Sequence, residues 1–216
     1  MKHKIQILIA LAVFFCSANL MAQYDPKAKS ILDAMSEKYK LIPAFKANFS
    51  YKIESSEDDV SENVKGNIVV KQNKYKINLG SQAVYNNEEN VWVYLKETNE
   101  VTISGYEPDP EDLSPTEIPN MYKEGFKYRF VEEKKIDGDT YEVVELNPED
   151  TELGYFKIEL TIHKQNKTLN SWKFFYKNGR QYTYFINDFQ PDNKISDNAF
   201  VFNVADYPGV DVIDLR

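Results

Sequence analysis

Phe45-Lys46-Ala47-Asn48-Phe49-Ser50-Tyr51-Lys52-Ile53 places an apolar residue at every odd position and a polar one at every even position. A period of two is the mark of a β-strand with one face hidden from water. Working outward, strand-like segments follow at 64–71, 74–79, 84–85, 91–95 and 101–103. They resume at 126–131, 141–146, 156–163, 169–176 and 181–189, with 200–202 as a last short strand. Gln72-Asn73, Asn86-Asn87, Asp137-Gly138, Gln165-Asn166 and Asn178-Gly179 supply turns between them. Asn-Gly between two alternating runs is the strongest short hairpin signal of the set. Residues 54–59 read as a polar hairpin loop. Upstream, Ile31, Leu32, Met35 and Tyr39 recur at helical spacing, with Lys27, Lys29, Glu37 and Lys38 on the opposite side, so 26–40 is predicted as an amphipathic helix stopped by Pro43. Residues 106–119 carry four prolines and five acids, which no central strand tolerates; a loop with one short helical piece at 115–122 is expected. About ten or eleven antiparallel strands with one or two helices predict a mainly β (α+β) fold, a strongly curved sheet or open, incomplete antiparallel barrel.

The first residues read as an export signal. Lys2, His3 and Lys4 precede an apolar run from Ile5 to Phe15, and cleavage is expected after about Ala22. This divides the chain into a cleavable signal peptide at 1–22 and a single domain at 23–216. The one cysteine, Cys16, falls in the signal, so an exported domain of ~190 residues must be held together by core burial rather than by disulfides. Removing Lys2 and Lys4 leaves 24 basic against 34 acidic residues, a net charge of −10. That balance argues against nucleic acid and anionic membrane surfaces as partners.

Chemistry is sparse. With no cysteine and one histidine, His163, in the domain, neither the usual zinc sites nor Cys/His nucleophile systems can be assembled. His163 is expected on the polar, exposed side of its strand before a turn. The acidic run 107–112 reads as a solvated loop, and no cofactor is implied. Two sequons, at Asn48 and Asn166, would matter only in a host that glycosylates such sites. What stands out is the aromatic stock, 15 Tyr, 13 Phe and 2 Trp. The inward faces collect Phe45, Phe49, Tyr51 and Ile53; Ile68 and Val70; Tyr75 and Ile77; Phe126, Tyr128 and Phe130; and Phe156, Ile158, Leu160 and Ile162. They can form a packed core. Alternatively, because an open barrel of this size encloses more space than its own side chains fill, helices or an apolar ligand complete it.

The order of elements resembles the LolA family, the periplasmic lipoprotein carriers of Gram-negative bacteria, in the form found in Bacteroidetes-like organisms. The resemblance runs from about Ala28 to Leu215. It is carried by Ile31-Leu32-Asp33, Phe45-Lys46-Ala47-Asn48-Phe49-Ser50, Gly66-Asn67-Ile68-Val69-Val70-Lys71 with Tyr75-Lys76-Ile77, and Asn90-Val91-Trp92-Val93-Tyr94 with Glu100-Val101. Further on it takes in Val144-Glu145-Leu146-Asn147-Pro148, Phe156-Lys157-Ile158-Glu159-Leu160, Tyr182-Thr183-Tyr184, Phe200-Val201-Phe202 and Pro208-Gly209-Val210-Asp211-Val212. The resemblance implies an incomplete barrel of about eleven strands with short helices as a lid over a hydrophobic cavity. It also implies a periplasmic, monomeric, non-enzymatic carrier that shields the acyl chains of lipoproteins. The implied partners are acylated lipoproteins, an inner-membrane lipoprotein-releasing ABC transporter complex and an outer-membrane acceptor.

On this basis Phe49, Tyr51, Ile68, Val70, Tyr75, Ile77, Trp92 and Tyr94 are expected to line the cavity. Leu32, Met35 and Tyr39 of the first helix and Ile118, Met121 and Tyr122 of the second are expected to cap it. Well-studied members place an arginine at the turn between the second and third strands to hold the lid shut. This chain aligns Gln72 there, with the neighbouring proline missing, so lid closure is expected to be weaker or to use Arg129 or a lysine. Three other readings compete: a same-fold carrier or sensor of another lipid or glycolipid, a hydrolase with two carboxylates, and an adhesive β-domain.

Overall fold

The computed structural model describes residues 24–55, 61–107 and 115–216. The signal-peptide expectation for 1–22, most of the polar loop at 54–59 and the acidic run at 108–112 lie outside the described residues.

Among the described residues one α-helix and twelve strands follow one another: α1 (Pro26–Lys40), β1 (Ala44–Ser55), β2 (Ser61–Lys71), β3 (Lys74–Leu79), β4 (Gln82–Asn86), β5 (Asn90–Leu95), β6 (Glu100–Gly105), β7 (Phe126–Ile136), β8 (Asp139–Pro148), β9 (Tyr155–His163), β10 (Leu169–Tyr176), β11 (Arg180–Pro191) and β12 (Asp211–Asp214). They form a single sheet in the order β12-β6-β5-β4-β3-β2-β1-β11-β10-β9-β8-β7, and β12 does not pair with β7. The barrel is therefore open. Neighbours pair antiparallel except β12, which lies parallel to β6. In β7, β9, β10 and β11 one residue each, Val131, Phe156, Asn170 and Asn187, is skipped in the ladder. Such bulges bend a strand and increase its twist, and all four fall in the C-terminal half of the sheet.

The bulge at Phe156 corrects one expectation. Alternation along 156–162 would turn Phe156 inward with Ile158, Leu160 and Ile162. The extra residue reverses the phase instead: Tyr155 is 3% exposed and Phe156 50% exposed. Likewise Phe200-Val201-Phe202 is extended at Val201 (φ −117°, ψ 131°) but has no ladder partner. Its alternation reflects two anchors. Phe200 packs with Ala44 and Ile195, and Phe202 packs with Tyr85, Trp92 and Tyr94. The last strand comes later, as β12. The helical piece expected at 115–122 is a run of turns closing in a short 3-10 helix, Met121–Lys123.

Helix α1 begins at Asp25, whose carboxylate accepts the N–H groups of Lys27 (2.8 Å) and Ala28 (3.4 Å), with Pro26 at the first helical position. The second oxygen of the same carboxylate accepts the Phe130 N–H at 2.8 Å, and the Asp25 N–H donates to the Tyr128 carbonyl. One residue thus starts the helix and ties it to the open edge of β7. The helix is about 22 Å long and buries Ala28, Ile31, Leu32 and Met35 against Tyr128, Val144, Leu146, Ile158, Leu160 and Ile162. It fills only the part of the concave face made by β7 to β9.

The opposite face carries a solvent-side ladder of charges. Arg129 grips Glu145 with two bonds of 2.9 Å, Lys157 lies between Glu145 and Glu159, and Lys173 and Lys52 flank Glu54. Burial pushes the Glu145 carboxyl up, but the Arg129 guanidinium, with Lys157 and the Asn147 amide, outweighs it and holds the group below the usual range. Toward the other edge, the C-terminal segment seals the outside of β4 to β6. Phe202 stacks on Tyr207 (4.3 Å) and meets Tyr94 (5.2 Å), and the Tyr85 and Tyr207 hydroxyls lie 3.0 Å apart.

Candidate functional site

The part of the concave face that α1 leaves uncovered encloses a cavity of about 450 Å³. Its floor is β1, whose alternation aims Phe45, Ala47, Phe49 and Tyr51 inward. One wall is made by Ile68 of β2, Tyr75, Ile77 and Leu79 of β3, and Val84 of β4. The facing wall is made by Leu169, Trp172, Phe174 and Tyr176 of β10 and by Tyr182, Tyr184 and Ile186 of β11. Because strands on both sides of β1 reach the same space, the sheet wraps around it. Tyr39 of α1, with Pro115, Ile118 and Pro119, closes the top. Aromatic contacts hold the walls: Trp172 stacks on Tyr184 at 5.1 Å and 8°, and Tyr184 meets Tyr51 at 5.7 Å.

Gly66 matters to this floor. It stands across from Phe49 in the β1–β2 ladder, and the Phe49 ring lies over it, within 2.7 Å of where a Cβ would sit. Only glycine leaves room for the ring to lie there and face the cavity.

Of the residues expected to line a cavity, Phe49, Tyr51, Ile68, Tyr75 and Ile77 do so. Val70 is buried beside Ile68 and borders an adjoining second cavity. Trp92 and Tyr94 lie elsewhere. Val84 faces inward and pairs with Val93, so the intervening Trp92 and Tyr94 point to the outer face, under Phe202. The expectation missed Phe45 and Ala47 of β1, Leu79 of β3, Val84 of β4, Pro115 and Pro119, and the whole facing wall from β10 and β11. The signal for that wall was the alternation of Trp172, Phe174 and Tyr176 and of Tyr182, Tyr184 and Ile186, as regular as that of β1.

The cap also differs from expectation. Tyr39 and Ile118 border the cavity, whereas Leu32, Met35, Met121 and Tyr122 are buried in the solid core under α1. They anchor the cap rather than face the space. Side-chain hydrogen bonds join α1 to the 115–123 segment, among them Tyr122 to Asp33 at 2.6 Å and Ser36 to Asn120 at 2.7 Å, the hydroxyl donating in each. The Lys29 ammonium and then the Tyr122 hydroxyl hold the Asp33 carboxyl below its usual range. Burial, then Asp33, pushes the Tyr122 phenol up. Another tie runs to the sheet, where the Tyr39 hydroxyl accepts the Leu169 N–H at 3.1 Å; burial raises that phenol to about 12.

Gln72 sits exposed in the β2–β3 turn at φ 55°, and its N–H donates to the Pro43 carbonyl at 2.7 Å. Arg129, the proposed substitute for the family arginine, is committed to Glu145 on the outer face. His163 is not an exposed strand residue. Its side chain is 15% exposed, and Nδ1 accepts the N–H groups of Gln165 and Asn166, which shapes the β9–β10 turn. Among the described residues no group of three or more His, Cys, Asp and Glu side chains is placed to hold a metal ion, and no helix is long and apolar enough to cross a membrane.

An open, curled sheet with a helix filling half its concave face and a hydrophobic cavity in the other half defines a class of cavity-bearing β-proteins. The sequence matches the model of the outer membrane lipoprotein carrier protein family, LolA, over residues 41–203, and the chain belongs to that family. Solved structures are similar at low identity. An uncharacterised conserved protein from Thermus thermophilus has 14% identity and a TM-score of 0.59, with 87% of this chain and 99% of that one covered. A LolA superfamily protein from Nitrosomonas europaea has 14% identity, a TM-score of 0.44 and coverage of 81% and 97%. Lipoprotein LppX from Mycobacterium tuberculosis has 10% identity, a TM-score of 0.46 and coverage of 80% and 100%. No curated protein matches the sequence.

Proposed function

We propose that this protein is a periplasmic, non-enzymatic carrier of lipoproteins. In this reading residues 1–22 direct export and are removed, and 23–216 work as one monomeric domain. It receives acylated lipoproteins from an inner-membrane ABC release complex, covers their acyl chains during transit and yields them to an outer-membrane acceptor. The observation that supports this best is the apolar cavity under Tyr39 and Ile118. Each methylene withdrawn from water is worth ~0.8 kcal/mol, so a carrier of acyl chains needs such a space.

Size favours keeping a second reading, a carrier of a single-chain lipid. A methylene is close in volume to the ~30 Å³ share of a water molecule, so a cavity of about 450 Å³ holds on the order of fifteen carbons, one acyl chain. A lipoprotein with two or three chains would require the cap to move aside.

Native mass spectrometry of the mature protein, mixed with a purified triacylated lipoprotein in detergent-free buffer, separates the readings. A stable one-to-one complex supports lipoprotein carriage. A co-purified free lipid with no lipoprotein complex favours the second reading. Tyr75→Glu places a charge on the cavity wall and is expected to abolish acyl loading while the far-ultraviolet circular dichroism stays that of the wild type; unimpaired loading would remove Tyr75 from the site.

A further inference from the structure

The apolar cavity is not isolated. A second cavity of about 500 Å³ shares Tyr39, Phe45, Pro115 and Pro119 with it, so the two are neighbours through a common wall. Their chemistry differs. The first is walled by aromatic and aliphatic side chains, whereas the second gathers hydroxyl and amide groups from three separate places: Ser36 on α1, Gln72 and Asn73 in the β2–β3 turn, and Thr116 and Asn120 on the capping segment. Among the described residues it also has two lysines, Lys40 and Lys123, against one carboxylate, Glu37, which already lies 3.6 Å from the Lys40 ammonium. The Lys123 ammonium donates to the Asn120 side-chain amide oxygen at 2.7 Å, which places it beside the cavity wall. Ile42, Pro43 and Val70 line the second cavity as well, so it is a mixed, cationic space beside a greasy one, an arrangement that matches the two ends of an amphiphile.

We infer that the second cavity is a subsite for the polar end of the cargo, and that it selects an anionic, hydrogen-bonding group joined to the acyl chain lying in the first. This rests on the acyl-carrier reading and adds to it the charge and place of the headgroup. Amide side chains both donate and accept, which suits a peptide backbone or a glycerol ester. Lysine ammoniums are point charges that attract carboxylate or phosphate without demanding one geometry. The selecting groups belong to α1, the β2–β3 turn and the cap together, so the subsite exists only with the cap in place. Gln72, at the position where other members carry a lid arginine, becomes one of its neutral hydrogen-bonding groups.

The test is calorimetric titration of the mature full-length protein with five probes at low salt. N-palmitoyl hexapeptides carrying either aspartates or lysines at positions two to four test the peptide source. Palmitoyl glycerophosphate against monopalmitoyl glycerol tests the lipid source, and palmitamide reports the apolar cavity alone. The wild type is expected to prefer the anionic member of at least one pair by about three- to ten-fold, a preference that fades as salt screens exposed charges. Lys40→Glu/Lys123→Glu should reverse it, and Lys40→Arg/Lys123→Arg should keep it, with palmitamide affinity unchanged in both. Preference confined to the peptide pair assigns the polar end to a lipopeptide, and preference confined to the phosphate pair assigns it to a lipid headgroup. Palmitamide binding with no anionic preference, or with a preference the charge reversal leaves intact, overturns the subsite alone. Loss of palmitamide binding by the wild type sinks the acyl-carrier reading and the subsite with it.

Discussion

At Gly66 a single hydrogen atom decides the shape of the cavity floor. A Cβ there would lie 2.6 Å from the Asn78 carbonyl oxygen and 2.7 Å from the Phe49 ring. The ring could swing away, but the carbonyl belongs to the neighbouring strand and can yield only by moving backbone. Overpacking of this kind costs about 1–3 kcal/mol. Gly66→Ala is therefore expected to lower the midpoint of guanidinium unfolding by that equivalent and to displace Phe49 from the floor. Gly105→Ala, at a strand position with open space around it and no positive φ, is the matched control and should be near neutral. Equal effects of the two substitutions would mean that Phe49 does not depend on Gly66. Trp92 carries the complementary lesson. Aromatic character alone does not say which side of a sheet a residue serves; the phase relative to Val84 does, and that phase is fixed through the β4–β5 turn rather than within β5 itself.

The elements that were legible in the sequence are those whose signals are local. Helix α1 spans Pro26–Lys40, as its periodicity predicts, because proline sets its start, Pro43 its end, and a run of four apolar residues its buried side. Strand β1 likewise follows its alternation. Illegible were the features set by pairing with distant chain. The bulge at Phe156 reverses its side because β10 opposes it with one residue fewer; β12 is a strand only because β6 offers an edge; and Phe200-Val201-Phe202 has a strand's pattern without a strand's neighbours. Within the candidate site, the β1–β3 lining was readable for the same local reason, while the attribution of Leu32 and Met35 to the cap failed because the helix turns them toward β7 to β9. Asp25 joins the local and the distant. Its bonds from the Phe130 N–H first, then from Lys27 and Ala28, depress its pKa. A group depressed in the folded state stabilises above its unfolded value of ~3.9 and loses that contribution as pH falls through the folded value. Asp25→Ala should cost about 0.5–2 kcal/mol at pH 7 as a lost cap. By Asp25→Asn, which keeps an acceptor but no charge, the gap from wild type in urea midpoint should narrow as pH is lowered below ~3.9. A gap that persists unchanged at pH 2 would show that the carboxylate charge is not what the two elements share.

Across the whole molecule, one sheet serves two purposes because one helix is too short to fill its concave face. Where α1 lies, the interior is solid: Leu32, Met35, Leu146, Ile158 and Leu160 are all fully buried. Where it ends, the walls face one another across about 450 Å³ with, among the described residues, Tyr39, Pro115, Ile118 and Pro119 above them. The cap is tied down by Tyr122 to Asp33, Ser36 to Asn120 and Tyr39 to the Leu169 N–H, each a hydrogen bond worth about 0.5–3 kcal/mol net, the upper value applying where one partner is charged. Burying a few methylenes at ~0.8 kcal/mol each offsets one such bond, while the burial of Met121 and Tyr122 under α1 adds to what a movement of the cap must overcome, so a cargo with several chains is what could displace it. If cargo with more than one chain enters by displacing the cap, a covalent tie at the same place must stop it. Ser36 and Asn120 are in contact at 2.7 Å, and residues 23–216 contain no cysteine. Oxidised Ser36→Cys/Asn120→Cys should therefore bind a single-chain probe such as palmitamide with affinity within a few-fold of wild type, yet fail to load a triacylated lipoprotein. Reduction with dithiothreitol should restore loading. Equal loading of oxidised and reduced protein, with the disulfide verified by mass, would mean that cargo reaches the cavity by another route, from the open edge between β12 and β7 or along the wall shared with the second cavity.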